Sequence, residues 1–264
     1  MREVDVHYVE HGSGRPVLVL HGTGVDHRET EACFEPALER PAGLRRVYPD
    51  LPGMGRTAAP KSLRSADDVL DLLLAFADDV TGGTPYLVVG HSAGGYFAQA
   101  MAVRRPSRVV GLALVCPLLP GVRDIPAHRA VVGEGDLGDD VFRSYFVDQT
   151  PQMLERYERY VAPAAALVDE AALERIGERW TLTPDDGAAY EGPTAILAGR
   201  LDSTVGYAAA VDLLEHYPHA SLVVADDAGH ALPHERPELL AAALADWLAR
   251  VGRGEAIPTA APRR

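Results

Sequence analysis

The chain has 264 residues, 25 of them basic and 38 acidic, which gives a formal charge of −13 at pH 7. That charge repels phosphate, so nucleic acid is excluded as a natural partner and anionic membrane surfaces are disfavoured. With 47% hydrophobic and 24% charged residues the chain can bury a large core, and its two cysteines, Cys33 and Cys116, form neither a disulfide framework nor a CxxC pair.

The first residues, Met1-Arg2-Glu3-Val4-Asp5, alternate polar and apolar and contain no apolar signal core. The longest apolar run, Val109 to Pro120, is interrupted by Pro117 and falls far short of the ~20 residues a membrane helix needs. The expectation is a soluble cytoplasmic protein.

In chain order, Val4 to Val9 alternates with period two, as a half-exposed edge strand does. Val17-Leu18-Val19-Leu20 is a continuous apolar run of the kind covered on both faces. Arg45 to Asp50 is a weaker strand candidate. Ser65 and Asp68 predict a helix start that resembles a capping box, followed by the stripe Val69, Leu70, Leu73, Phe76 and Val80. Buried-type strands are predicted at Tyr86–Val89, Val109–Val115, Thr194–Leu197 and Ser221–Val224. A helix over Ala93–Arg104 stops before Pro106, and the last helix runs from Pro237 to Gly252. Strands alternating with helices predict an α/β sandwich on a mostly parallel sheet.

One stretch breaks this rhythm. Residues 122–192 contain no convincing strand but have helix-like pieces at Val141–Val147, Met153–Tyr160 and Ala171–Trp180. Such a length is too great for a connecting loop. The stretch holds seven of the 17 aromatic residues: Phe142, Tyr145, Phe146, Tyr157, Tyr160, Trp180 and Tyr190. The expected organisation is a core of 1–121 and 193–252, a helical cap of 122–192 and a flexible tail of 253–264.

The chemistry concentrates at Tyr86-Leu-Val-Val-Gly90-His91-Ser92-Ala93-Gly94-Gly95. This is G-x-S-x-G set between a buried strand and a helix, a sharp turn that presents a serine hydroxyl at the sheet's C-terminal edge. The following helix N-terminus favours negative charge developing there. A dinucleotide fingerprint, G-x-G-x-x-G, is absent from this turn.

Here the sequence resembles the α/β-hydrolase superfamily over nearly its whole length. The resemblance implies an eight-stranded, mostly parallel sheet and a triad in the order serine, acid, histidine. It implies Ser92 as nucleophile, Asp202 in Gly199-Arg-Leu-Asp202 as acid and His230 in Asp227-Ala-Gly-His230 as base. Asp124 follows the preceding strand, where some members carry the acid, and Asp226 and Asp227 are also near. Leu20-His21-Gly22-Thr23-Gly24 is similar to the family's oxyanion loop and implies an oxyanion hole of the Thr23 and Ala93 amides, with Gly24 as the alternative to Thr23. Gly22, Gly24, His91, Phe146 and Trp180 are the expected substrate-binding residues. Asp50-Leu-Pro-Gly53-Met54-Gly55 resembles a structural loop of the family, with a pocket-facing Met54 as the alternative.

Other constellations carry less. His230 and His234 have the i, i+4 spacing of a zinc site, but Pro233 lies between them and argues against a helix, so no metal and no cofactor are expected. Asp26 and His27, beyond the oxyanion loop, fit capping or solvated roles, with substrate contact as the alternative, and Cys116 fits a small core hydrophobe.

Ser92 at the nucleophile position, where epoxide-opening and halide-displacing relatives use aspartate, implies acyl transfer. The expected activity is serine hydrolysis of an ester, thioester, lactone or similar bond in a small, largely apolar molecule, through an acyl-enzyme. Carbon–carbon hydrolysis or perhydrolysis on the same triad, or a non-hydrolytic cyclase or small-molecule receptor, are the alternatives. Oligomeric state is not readable.

Overall fold

The computed structural model describes residues 4–121, 123–133, 136–184 and 189–256. The chain begins β1 (Tyr8–Gly12), β2 (Arg15–Leu20), α1 (His27–Leu38), β3 (Leu44–Pro49) and α2 (Ala66–Thr81). It continues through β4 (Tyr86–His91), α3 (Ala93–Arg104) and β5 (Val109–Val115). Next come β6 (Val132–Gly133), α4 (Asp140–Tyr145), β7 (Asp148–Gln149) and α5 (Pro151–Arg156). A π-helical turn (Tyr157–Val161), α6 (Ala162–Ala165) and α7 (Glu170–Gly177) follow. The chain closes with β8 (Thr194–Gly199), α8 (Ala208–His216), β9 (Ala220–Ala225), α9 (Leu232–Glu235) and α10 (Pro237–Ala256).

Seven strands form the main sheet in the order β1-β3-β2-β4-β5-β8-β9, with β1 antiparallel to β3 and the remaining pairs parallel. This is the α/β-hydrolase fold, with seven strands in its main sheet among the described residues where eight were expected. The buried strands send successive side chains to opposite faces, as a two-residue period requires. Leu18, Leu20, Val88, Leu112, Leu114 and Ile196 meet the buried faces of α2, α3 and α8. Their neighbours Val17, Val19, Leu87, Val89, Ala113, Val115 and Leu197 meet α1 and α10. The result is three layers, with helices on both sides of the sheet.

Local chemistry starts the second helix as the sequence predicts. Ser65 Oγ accepts from the Asp68 amide (3.2 Å) and donates to the Asp68 carboxylate (2.8 Å), so aspartate completes the cap where glutamate is usual. Gly82, with φ +57, closes α2 in the left-handed conformation.

The stretch expected to hold no strand contains the short paired strands β6 and β7, and four further expectations about elements change. The edge strand covers Tyr8–Gly12 rather than Val4–Val9. β9 is only half-buried, because as the last strand it is covered by β8 along one edge alone. α9 forms despite Pro233, which sits in the first turn, where no helical N–H is needed. α10 passes through Gly252 to Ala256, because glycine inside an exposed helix costs only about 1 kcal/mol and no proline follows until 258. Residues 1–3, Val122 and the tail beyond Ala256 lie outside the described residues.

Between β5 and β8, three helix-like pieces were predicted and the chain forms α4, α5 with the π-helical turn and α6, and α7. Phe142, Phe146, Met153, Tyr157 and Val161 make a separate apolar cluster that closes onto Val25 and Ala231 of the main body. Hydrogen bonds hold the segment elsewhere: the Asp169 amide donates to Gly53 O (2.8 Å), and Arg175 donates to Leu63 O and Ala59 O (3.0 Å each).

Candidate active site

The sharp turn after β4 is a physical necessity of its sequence. Ser92 has φ +53 and ψ −121, a conformation that costs a non-glycine residue roughly 1–3 kcal/mol. The turn closes so tightly that a Cβ on Gly90 would lie 2.3 Å from Gly94 O, and one on Gly94 would lie 2.2 Å from Leu20 O. Glycine is needed at both positions for close approach. Ser92 is 9% exposed, and its carbonyl accepts from the Gly95 and Leu118 amides (2.9 Å each).

Asp202 and His230 emerge from the carboxyl ends of β8 and β9, where ligand sites of parallel sheets form. His230 Nδ1 is 2.7 Å from Asp202 Oδ2, while Asp202 Oδ1 accepts from the Thr204 and Val205 amides (2.9 Å each). Burial alone pushes the Asp202 carboxyl up. The His230 charge and hydrogen bond, with the two amides, outweigh it and hold the group below the usual carboxylate range. A carboxylate only accepts, so Nδ1 carries the proton of this bond, and in the neutral imidazole the lone pair lies on Nε2. The other acid candidates are elsewhere: Asp124 faces Arg123 at 3.6 Å, and exposed Asp227 pairs with Arg236.

The loop after β2 lies against the nucleophile. A Cβ on Gly22 would stand 3.0 Å from Ser92 Cβ. His21 Nε2 accepts from the Leu51 amide (2.8 Å), so its proton is on Nδ1 and donates to Gly22 O (2.7 Å). Burial holds this imidazole below its usual value, which keeps it neutral. With Gly22 O fixed, the trans peptide aims the Thr23 N–H the opposite way. The Gly24 N–H is taken by Met54 Sδ at 3.3 Å, which favours Thr23 over Gly24 and puts Met54 behind the loop. Ala93 opens α3, so its amide has no intrahelical acceptor.

The expected substrate-binding residues divide. Gly22 and Gly24 belong to this loop. His91 is 2% exposed and faces inward, its Nε2 3.1 Å from His230 O and its Nδ1 3.7 Å from Glu29 Oε2. Phe146 has no exposed surface and packs on Phe142, Tyr145, Tyr157 and His234. Trp180 stacks on Tyr96 (5.7 Å) and meets Phe97 edge-on (5.6 Å). Both aromatics therefore bind the 123–192 segment to its surroundings. The aromatic that meets His230 is Tyr145, edge-on at 6.0 Å, one residue before the one expected.

Asp26 caps α1 by accepting from the Arg28 amide (3.0 Å), and His27 Nδ1 bonds Asp50 (2.7 Å). Cys116 is fully buried, with φ +43 and its sulfur 3.7 Å from Gly229 O. Among the described residues, two sets of metal-capable donors lie within 4.8 Å of one another, His7 with His27 and Asp50, and Cys116 with Asp202 and His230. In both, imidazole and carboxylate are hydrogen-bonded to each other at 2.7–2.9 Å, so the donors are already spent. His234 bonds Glu29 and Arg156 rather than sharing a site with His230.

Sequence reasoning missed Glu29, Tyr145 and Glu235. Glu235 is a buried carboxylate whose Oε2 accepts from the Gly229 amide (2.8 Å) and whose Oε1 accepts from Val147 (2.7 Å) and Asp148 (3.2 Å). Nothing about an acidic residue inside a helix marks it as buried.

A family model described as the alpha/beta hydrolase family matches residues 17–243. The chain belongs to that family. A 2-hydroxy-6-oxononadienedioate/2-hydroxy-6-oxononatrienedioate hydrolase from Burkholderia vietnamiensis is 27% identical over 94% of this chain and 92% of its own. A pimeloyl-(acyl-carrier protein) methyl ester esterase from Chromobacterium violaceum is 30% identical over 85% of this chain and 91% of its own. An alpha/beta superfamily hydrolase from Oenococcus oeni, solved by crystallography, superposes with a TM-score of 0.85 at 27% identity, covering 94% and 96% of the two chains. Family and relatives together support hydrolase activity. Among the described residues, no helix is long and apolar enough to cross a membrane.

Proposed function

We propose that this α/β hydrolase is a serine hydrolase that cleaves an ester, thioester, lactone or similar acyl bond of a small, largely apolar molecule. His230 Nε2 takes the Ser92 proton as Oγ attacks the acyl carbon, and Asp202 stabilises the imidazolium that forms. The Thr23 and Ala93 amides receive the oxyanion. His230 then gives its proton to the leaving group, and one water, deprotonated by the same imidazole, releases the acyl group from Ser92. The observation that carries this reading is the 2.7 Å bond from His230 Nδ1 to buried Asp202, on the sheet edge where strained Ser92 emerges.

In this reading the 122–192 segment is a cap over the nucleophile, the protein works in the cytoplasm without a cofactor, and its partner is a small molecule. With Ser92 at 9% exposure, substrate entry requires that cap to move. The similarity to a dienedioate hydrolase favours carbon–carbon hydrolysis beside a carbonyl as the second reading. A panel of p-nitrophenyl esters tests the first. It expects a burst of phenolate followed by steady turnover, the mark of an acyl-enzyme that water releases. If no ester, thioester or lactone turns over while an apolar ligand binds tightly, a receptor or cyclase explains the same residues better.

A further inference from the structure

Beneath the Ser92 turn lies a buried polar cluster for which the acyl-transfer chemistry has no use. Its centre is Glu29, in the first turn of α1 and 2% exposed. Oε1 accepts from the Tyr145 hydroxyl at 2.7 Å and lies 3.3 Å from His234 Nε2. Arg156 Nε donates to His234 Nδ1 at 3.2 Å, so the His234 proton is on Nε2 and points at Glu29. Oε2 has no hydrogen-bond partner among the described residues and faces His91 Nδ1 at 3.7 Å, an ionic rather than a hydrogen-bonding distance.

Two of these partners also touch the catalytic histidine. His91 Nε2 lies 3.1 Å from the backbone oxygen of His230, which only accepts, so His91 donates there. The Tyr145 ring stands edge-on to the His230 ring at 6.0 Å. Burying a carboxylate is costly unless its partners compensate, and here one oxygen is left without a hydrogen bond. Burial pushes the Glu29 carboxyl up, but His234 and His91 hold it well below the usual range, so the group is charged.

We propose that Glu29 is a positioning residue for His230, acting through His91 and Tyr145. Because Tyr145 belongs to the 123–192 segment and Glu29 to the main body, seating that segment and aligning the catalytic imidazole become one event. The proposal rests on the hydrolase reading for its kinetic consequence and on geometry alone for its structural one.

The test compares Glu29→Leu, Glu29→Gln, Tyr145→Phe and the Gln/Phe double variant with the wild-type chain. Glu29→Leu should lower kcat on p-nitrophenyl acetate by about 10²-fold with KM little changed, because misplacing a catalytic group by about 1 Å costs that much. Glu29→Gln keeps an acceptor for Tyr145 and should lose less. The double variant should be no worse than its poorer parent, since both changes cut one linkage. The downfield proton resonance of His230 Nδ1, identified by its loss in His230→Gln, should shift or broaden in Glu29→Leu. That signal needs no substrate, so it separates failure of this proposal from failure of the hydrolase reading. If Glu29→Leu does not fold, His91→Gln and His91→Leu replace it: glutamine keeps a donor for His230 O and should retain more kcat than leucine. Folded variants with kcat and the His230 resonance unchanged, or a loss confined to KM, would overturn the proposal.

Discussion

His230 Nδ1 approaches Asp202 Oδ2 to 2.7 Å, while the other Asp202 oxygen is held by two backbone amides of its own loop. The carboxylate is therefore fixed before it fixes the histidine. One ring nitrogen is committed to the acid and the other is left with a free lone pair, the arrangement a general base needs.

Asp202→Asn should keep the loop, because an amide oxygen still accepts from Thr204 and Val205, yet present an NH₂ group to His230. The imidazole then adopts the wrong tautomer, and kcat should fall roughly 10⁴-fold. Steady-state kinetics beside a thermal melt measures both effects. Equal loss in Asp124→Asn, with Asp202→Asn near normal, would move the acid to the earlier strand.

Acid should destabilise the protein in a window set by three buried carboxylates. Burial raises Asp50, Glu29 and Asp202, but histidine partners and backbone amides pull all three below their ordinary values. A group depressed in the folded state contributes stability above its unfolded pKa, about 4 for these groups, and that stability is lost as pH falls through the folded value. Urea unfolding from pH 7 to pH 3 should show stability dropping once pH passes below about 4. Asp50→Asn should lie lower at pH 7 and fall less steeply. Parallel curves for the two proteins would contradict this.

Glu235→Gln tests the link between the loop that carries His230 and the 123–192 segment. Three amides, from Gly229, Val147 and Asp148, share one carboxylate, and a glutamine has one oxygen and an NH₂ group that faces a donor. Leaving a buried donor unpaired costs about 1–3 kcal/mol. A melting temperature within a degree of wild type would show that the three bonds contribute nothing.

Gly94→Ala asks whether close approach really governs the turn. Its Cβ would meet the Leu20 carbonyl at 2.2 Å, so backbone must move, and a loss of about 3 kcal/mol or failure to fold is expected. Gly252→Ala, in an open stretch of α10, should instead stabilise slightly, by about 0.5–1 kcal/mol.

The parts of this architecture that were legible in the sequence are those where one periodicity dominates. β5 and α3 fall on their expected bounds, β5 because it is apolar throughout and α3 because the Ser92 turn opens it and Pro106 follows its end. α1 gave no such signal. Its buried face carries His27, Glu29 and Thr30 beside Cys33 and Phe34, since that face meets the polar cluster as well as the core. A helix that buries a carboxylate reads as polar from sequence, so Glu29 stayed hidden with it. Tyr145 is the last residue of α4 and Phe146 follows it in extended backbone (φ −97, ψ 133), so the two side chains leave in different directions. That decides which meets His230, and segment boundaries read from sequence are coarser than that.

The most direct test of the central claim is covalent. An organofluorophosphonate should label one serine of the native protein, and peptide mass spectrometry should find it on Ser92. Labelling should be lost in Ser92→Ala and slowed by orders of magnitude in His230→Gln, because the hydroxyl attacks only when the imidazole takes its proton. Label on a different serine, or labelling of Ser92 at an unchanged rate without His230, would contradict the assignment of nucleophile and base.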